Sequence, residues 1–285
     1  VITLITNLVI GIATGANVGI AKYIGKRDPE HTGRAVGTAV AFSMAAGVAL
    51  AILGISFAEV FLGWINCPAE LLARASLYFR MYFAGVPLLM VFNFSTSILR
   101  SSGNSGRIMT ISLVGATVKV CATCVFVAVF QLGVVGVAIS TIISWSVNAT
   151  WATVSLLRER GAVKLYPRHI RFYRPELPQI LRIGIPSGLQ MGLYSIANVL
   201  ISTAVNSFGP KASTGISIAN TYDGLLYNIC TAAALAVMPY VSQNVGMGNI
   251  KRAAKSVKEG ILITVGLGAV FGALSALFSG PLSSI

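Results

Sequence analysis

An all-α fold that threads a membrane eight times is what this 285-residue sequence predicts, and three observations carry that prediction. Eight apolar stretches, each at least about the 20 residues a helix needs to cross hydrocarbon, occupy nearly the whole chain. Hydrophobic residues make up 55% and charged residues 10%, whereas soluble domains carry about a quarter charged. The arginines and lysines, finally, collect at alternate boundaries between the stretches.

Taken in order, the first stretch (1–21) runs into Lys22, Lys26 and Arg27. The second (35–65) follows Arg34, and the third (75–99) ends at Arg100. The fourth (108–130) starts after Arg107 and meets the fifth (133–157) across a short join, and the fifth stops at Arg158. Residues 158–176 are polar and basic and hold Pro167 and Pro175, the composition of a linker. The sixth (177–207), seventh (213–243) and eighth (257–279) follow, with Lys251, Arg252 and Lys255 between the last two.

With the spans alternating in direction, seventeen of the 21 basic residues fall on one side. Arg74, Arg80 and Lys211 fall on the other, and Lys119 lies inside a span. The rich side is cytoplasmic by the positive-inside rule. The net charge of +13 is therefore a topology signal, with contact to anionic lipid heads as a secondary consequence, and nucleic acid is not expected as a partner.

An internal repeat organises the chain. IAKYIGKRDPEHTGRAV (20–36) returns 221 residues later as VSQNVGMGNIKRAAKSV (241–257), pairing Gly25 with Gly246, Asp28 with Asn249 and Arg34 with Lys255. The second copy is preceded by two spans and the first by one, so a further span is expected upstream of residue 1. With a unit of six, these eight are the second to ninth of twelve, and the chain is expected to be truncated at both ends. Six spans per unit keep the halves parallel, related by an axis along the membrane normal. The expected domains are an N-terminal bundle (1–157), a cytoplasmic linker (158–176) and a C-terminal bundle (177–285).

The pieces YIGKRDPEHTGRAV, ILRSSGNSGR (98–107), FQLGVVGVAIST (130–141), GIPSGLQMGLYSIANVLISTAVNSFG (184–209) and SQNVGMGNIKRA (242–253) resemble, in order and spacing, the multidrug and toxic compound extrusion (MATE) transporters. The resemblance implies twelve helices in two parallel six-helix bundles. It also implies export of amphiphilic, often cationic, organic compounds from the plasma membrane, driven by inward flow of protons or sodium ions. The chain is expected to act as a monomer in the lipid bilayer.

A charge at the bilayer centre costs about 2.5–3.5 kcal/mol on insertion scales, so ionisable residues within spans are functional candidates. Lys119 lies midway along the fourth span, Asp223 about one-third into the seventh, and Glu59 near the outer end of the second, where water is close. In the proton-coupled branch that the resemblance brings in, the fourth span carries an Asn and, four residues on, an Asp. Alignment through GVVGVA (133–138) puts Lys119 and Thr123 at those positions, so the usual acid is absent. Lys119, Thr123 and Ser112 share one helical face. Two readings of Lys119 stand: an ion pair that protonation or substrate breaks, or a residue with no coupling role, held in a fixed structural ion pair or in a wet cavity.

Two further polar stripes run through Ser187, Gln190, Tyr194 and Asn198, and through Asn220, Asp223, Tyr227 and Thr231. Such stripes bond neighbouring helices or face a water-filled cavity, and a carboxylate such as Asp223 favours the cavity. The sodium-linked branch typically has a Glu in the helix of the first stripe, where this sequence has none. Pro87, Pro186 and Pro239 interrupt spans either as hinges or as static kinks. Gly11, Gly15 and Gly19 put small residues on one face for close helix contact.

Cys121 and Cys124 form a CxxC inside an apolar span, Cys67 is expected outside and Cys230 within a span, none in a redox or zinc setting. No nucleophile elbow or phosphate-binding loop is present, so no enzyme activity, cofactor or metal is expected and an ion gradient supplies the energy. The alternative to drug efflux is a flippase or exporter of lipid-linked or anionic substrates on the same two-bundle plan, which Lys119 modestly favours. A membrane enzyme would need a cluster of acids, His or Cys, and His31 and His169 are isolated.

Overall fold

A computed structural model describes residues 2–64 and 69–277, so Cys67 lies outside the described residues. The helices are α1 (Ile2–Gly25), α2 (Pro29–Ser56), α3 (Ala58–Trp64), α4 (Ala69–Ser101), α5 (Ser105–Cys124), α6 (Gly133–Leu157), α7 (Glu176–Asn206), α8 (Pro210–Gly246) and α9 (Ile250–Leu277). Eight of them are long and apolar enough to cross a membrane, and among the described residues there is no strand. This is a multi-pass, all-α membrane protein.

The stretch expected as one span over 35–65 is two helices. The 28 residues of α2 already rise about 42 Å, more than the roughly 30 Å hydrocarbon core. The chain breaks at Phe57, whose N–H donates to the Leu53 carbonyl at 3.0 Å, and resumes as the seven-residue α3. Glu59 of α3 accepts from Arg80 of α4 at 2.8 Å, both exposed. At the far end of α5, residues Val125–Val129 form a π-helical turn that closes the join to α6.

The basic segments at 22–34, 100–107 and 246–258 are helix ends joined by tight turns, whereas 158–175 is irregular apart from one short helical turn at Pro167–His169. The three tight turns, at 26–28, 102–104 and 247–249, use one device. Arg27, Gly103 and Gly248 adopt positive φ of 56°, 82° and 75°. The N–H of each bonds the carbonyl three residues back, and the next N–H bonds the carbonyl five back, as in a Schellman stop. The following Asp28, Asn104 and Asn249 then accept from the backbone N–H of His31, Arg107 and Arg252, which starts the next helix. The His31 N–H holds the Asp28 carboxyl below the ordinary aspartate range. Asp28 therefore favours the fold above its unfolded pKa, and that contribution fades as pH falls through the depressed value.

A left-handed residue other than glycine costs about 1–2 kcal/mol. A Cβ on Gly103 or Gly248 would meet nothing within 4 Å, so backbone strain alone is at issue there. Gly248→Ala is expected to cost about 1 kcal/mol and Arg27→Gly to recover part of that amount. Thermal melts in detergent read both, and a Gly248→Ala melt equal to wild type would refute the assignment.

Helices α1, α2, α4, α5 and α6 form one bundle, with Phe79, Phe83, Phe94, Ile98 and Leu99 in its core. Helices α7, α8 and α9 lie in a second, joined to the first along α1. The α1–α7 seam is main chain against main chain. A Cβ on Gly15 would lie 2.6 Å from Gly184 N, and one on Gly188 would lie 2.9 Å from the Leu8 carbonyl oxygen. Asn7 Nδ2 donates to Ser195 Oγ at 2.7 Å at one end of the seam, and Tyr23 OH to Gln179 Oε1 at 2.8 Å at the other. Gly11 and Gly15 thus do pack helices, and their mates Gly184 and Gly188 carry the same four-residue spacing.

The repeat is visible in this packing. A Cβ on Gly25 would strike the Gln243 carbonyl oxygen, and one on Gly246 the Lys22 carbonyl oxygen. Lys22 and Gln243 are themselves partners under the 221-residue shift. Residue i touches j′ while j touches i′, which is the contact pattern of a two-fold axis passing between the basic ends of α1 and α8.

The 158–176 segment is docked on α2. Val163 and Leu165 are buried, and the His169 carbonyl lies where a side chain on Gly37 would go. The Tyr173 N–H donates to Thr38 Oγ1 at 3.3 Å, while Arg34 and Arg171 stack over the Tyr173 ring.

Candidate functional site

Where α1, α4, α7 and α8 meet, the helices leave two adjoining cavities of about 480 and 290 Å³. They share Thr14, Met191, Tyr227, Thr231 and Leu235, and so form one continuous cleft between the bundles. The larger part is lined by Ser187, Gln190 and Tyr194 of α7 and by α8, the smaller by Asn7 of α1, Asn93, Thr96, Ser97 and Arg100 of α4, and Asn228 of α8.

The tyrosines of the two predicted stripes meet here. The Tyr194 and Tyr227 rings stack with centroids 5.1 Å apart and planes 9° from parallel. Tyr194 OH donates to Asp223 Oδ2 at 3.4 Å, which puts the carboxylate one turn along α8 from Tyr227, on the side away from the basic end. Asn198 and Asn220 are exposed on α7 and α8 beyond the described cavity lining.

Lys119 and Thr123 stand apart from this cleft, on α5 in the first bundle. Thr123 Oγ1 shares a 2.8 Å hydrogen bond with Ser140 Oγ of α6. Lys119 is exposed, between the exposed Leu113 and Val120, and no described carboxylate pairs with it. Pro87, Pro186 and Pro239 lie inside α4, α7 and α8, which continue on both sides of them. Cys121 and Cys124 are free and exposed, and Cys230 is free and half-buried.

Sequence reasoning missed Arg100, which it counted only as a boundary charge. The signal was available: Asn93, Thr96, Ser97 and Arg100 recur at i, i+3, i+4 and i+7, a polar stripe of an apolar helix. The half-buried Arg100 side chain lines the cleft from the last turn of α4.

Towards the basic end the helices around the cleft meet. There the backbones of Gly25 and Gly246 are in contact, and Gln243 Nε2 of α8 donates to the Ser101 carbonyl of α4 at 2.7 Å.

Comparison with known proteins matches residues 1–126 and 186–285 to the MatE family model. The probable multidrug resistance protein YoeA of Bacillus subtilis is 24% identical over 99% of this chain and 62% of its own length. YpnP of the same organism, also described as a probable multidrug resistance protein, is 24% identical over 88% of this chain and 56% of its own. Among solved structures, an outward-facing multidrug resistance MATE family transporter of the MOP superfamily superposes with a TM-score of 0.86 at 23% identity, over 99% of this chain and 62% of that one. The chain thus spans about three-fifths of the length of these relatives and shares their two-bundle fold. It belongs to the MatE family.

Proposed function

We propose that this chain belongs to a secondary active efflux transporter, one that exports drugs or other amphiphilic organic compounds by alternating access in exchange for protons or sodium ions. The observation that carries the reading is the interlobe cleft, in which polar and aromatic side chains are set among apolar ones, with the α1 and α8 backbones meeting at its basic end in a contact that the pseudo-two-fold axis relates to itself. In this reading 1–157 and 177–285 are the moving bundles and 158–176 ties them together. The basic end faces the cytoplasm, and the protein sits in the plasma membrane as a monomer and catalyses no covalent chemistry. Gln190, Tyr194 and Tyr227 contact the transported compound. Asp223, next to Tyr194, and Lys119, uncompensated within α5, are the groups available to the coupling ion. The multidrug relatives support the substrate breadth.

The test is flux of fluorescent dyes into proteoliposomes of the full-length protein under an imposed pH gradient and, separately, an imposed sodium gradient. Dye accumulation under one gradient and not the other is expected. Lys119→Ala tests the coupling path: abolished coupling in a folded variant puts Lys119 in that path, and unchanged coupling returns it to a structural role. No gradient-driven flux of any dye, anionic or cationic, would sink the transport reading.

A further inference from the structure

We propose that the interlobe cleft is an organic-anion site, in which Arg100 holds the anionic group and the Tyr194–Tyr227 pair holds an aromatic body. The proposal rests on the reading that this cleft carries the transported compound, and it names the class of that compound.

Arg100 is the one charged residue in the described lining of the two cavities, and no Asp or Glu lines either. The described ion pairs join His31 with Asp28, Arg34 with Glu30, Arg80 with Glu59, Arg107 with Glu159 and Lys255 with Glu259, and Arg100 is in none of them. A half-buried guanidinium without a counter-ion is costly to keep, and a ligand anion removes that cost. The guanidinium is planar, with a fork of donors that fits a carboxylate, sulfonate or phosphate through two parallel bonds.

The surroundings of Arg100 suit an anion. Asn93, Thr96 and Ser97 on its own helix, and Asn7 and Asn228 elsewhere in the lining of the same cavity, are neutral and polar. Tyr227 lines both cavities, so a ligand whose head reaches Arg100 lays its body against the stacked tyrosines. Asp223 lies beyond Tyr194, at the other end of the cleft from Arg100. It repels an anionic head there and favours the orientation with the head towards Arg100.

Arg100 also lies in the last turn of α4, where any cation suits the helix dipole. Arg100→Lys keeps that charge and loses the fork, so it separates the two roles. The probes are carboxyfluorescein, an aromatic anion, and ethidium, an aromatic cation. Binding to detergent-solubilised full-length protein is read by anisotropy, flux is read in proteoliposomes, and a melt of each variant checks the fold.

Carboxyfluorescein is expected to bind and move. Its affinity should fall about ten- to a hundredfold in Arg100→Gln, the loss of one or two charge-assisted hydrogen bonds, and by an intermediate factor in Arg100→Lys. Ethidium binding should not weaken in either. Carboxyfluorescein that binds through Arg100 but moves under no gradient sustains the anion site and removes the transport reading. Ethidium flux with carboxyfluorescein unbound, or bound equally by wild type and Arg100→Gln, overturns the anion site and leaves transport standing.

Discussion

Gly15→Leu is expected to force the two bundles apart and to give the largest loss of stability of any single substitution considered. The Cβ it introduces would strike the Ile180 carbonyl oxygen and lie 2.6 and 2.7 Å from the N and Cα of Gly184. Overpacking against side chains costs about 1–3 kcal/mol, because rotamers can give way. Here both obstacles are main chain in helices, and relief requires α1 to leave α7. The upper end, about 3 kcal/mol, is the expected cost.

The seam has little with which to compensate. Asn7–Ser195 and Tyr23–Gln179 are single hydrogen bonds at its two ends, each worth about 1 kcal/mol. Separating the helices stretches both. Gly266→Leu on α9 is the control, since a Cβ there meets nothing within 4 Å. Fluorescence-detected size exclusion after a temperature ramp should show Gly15→Leu losing its monodisperse peak well below wild type and Gly266→Leu tracking it. Equal melting of the two variants would mean that the seam does not hold the bundles together.

The seam also shows what the sequence could and could not disclose. Gly11, Gly15 and Gly19 mark α1 as a close-packing helix, but small residues at four-residue spacing do not name their partner, and α7 carries the same spacing at Gly184 and Gly188. The repeat was legible because Gly25 and Gly246, where the backbones come close, and Asp28 and Asn249, whose side chains accept from the next helix, recur at a fixed shift. The left-handed Arg27 opposite Gly248 was not legible. The break at Phe57 was not legible, since apolar residues continue through it and only helix length against bilayer thickness separates α3 from α2. Tyr194 and Tyr227 could be found by periodicity alone. Arg100 could not be placed by counting charges, because a basic residue at a span boundary has the same sequence whether its side chain turns to the surface or back into a cleft. Lys119 remains the converse case, conspicuous in the sequence and distant from the cleft in the structure.

Gly246→Leu is expected to abolish the proposed transport by acting on the balance of states rather than on the cleft. In the proposed alternating-access cycle the basic end closes while the other side is open, and in this structure the α1 and α8 backbones meet at that end at Gly25 and Gly246. A side chain at 246 would strike the Lys22 carbonyl oxygen and lie 3.2 Å from Gly25 Cα. No rotamer avoids this, since the clash begins at Cβ. A penalty of about 3 kcal/mol on one of two states changes their ratio about a hundredfold. The state open at the basic end should therefore dominate.

Gln243→Leu supplies a milder version of the same push. It removes only the hydrogen bond to the Ser101 carbonyl, worth about 1 kcal/mol, so the ratio should move about fivefold. Both effects can be read without transport. A cysteine at Asn228, which lines the cleft, in a background free of other cysteines, reports on access from the basic side through its rate of reaction with a membrane-impermeant maleimide. Labelling should rise modestly in Gln243→Leu and steeply in Gly246→Leu, with dye flux falling in the same order. The pseudo-two-fold axis adds a constraint that a merely local defect would not meet: Gly25→Leu strikes the Gln243 carbonyl oxygen as Gly246→Leu strikes that of Lys22, so the two variants should behave alike. Wild-type labelling in Gly246→Leu, or a silent Gly25→Leu beside a disabled Gly246→Leu, would show that this contact is packing and not a gate.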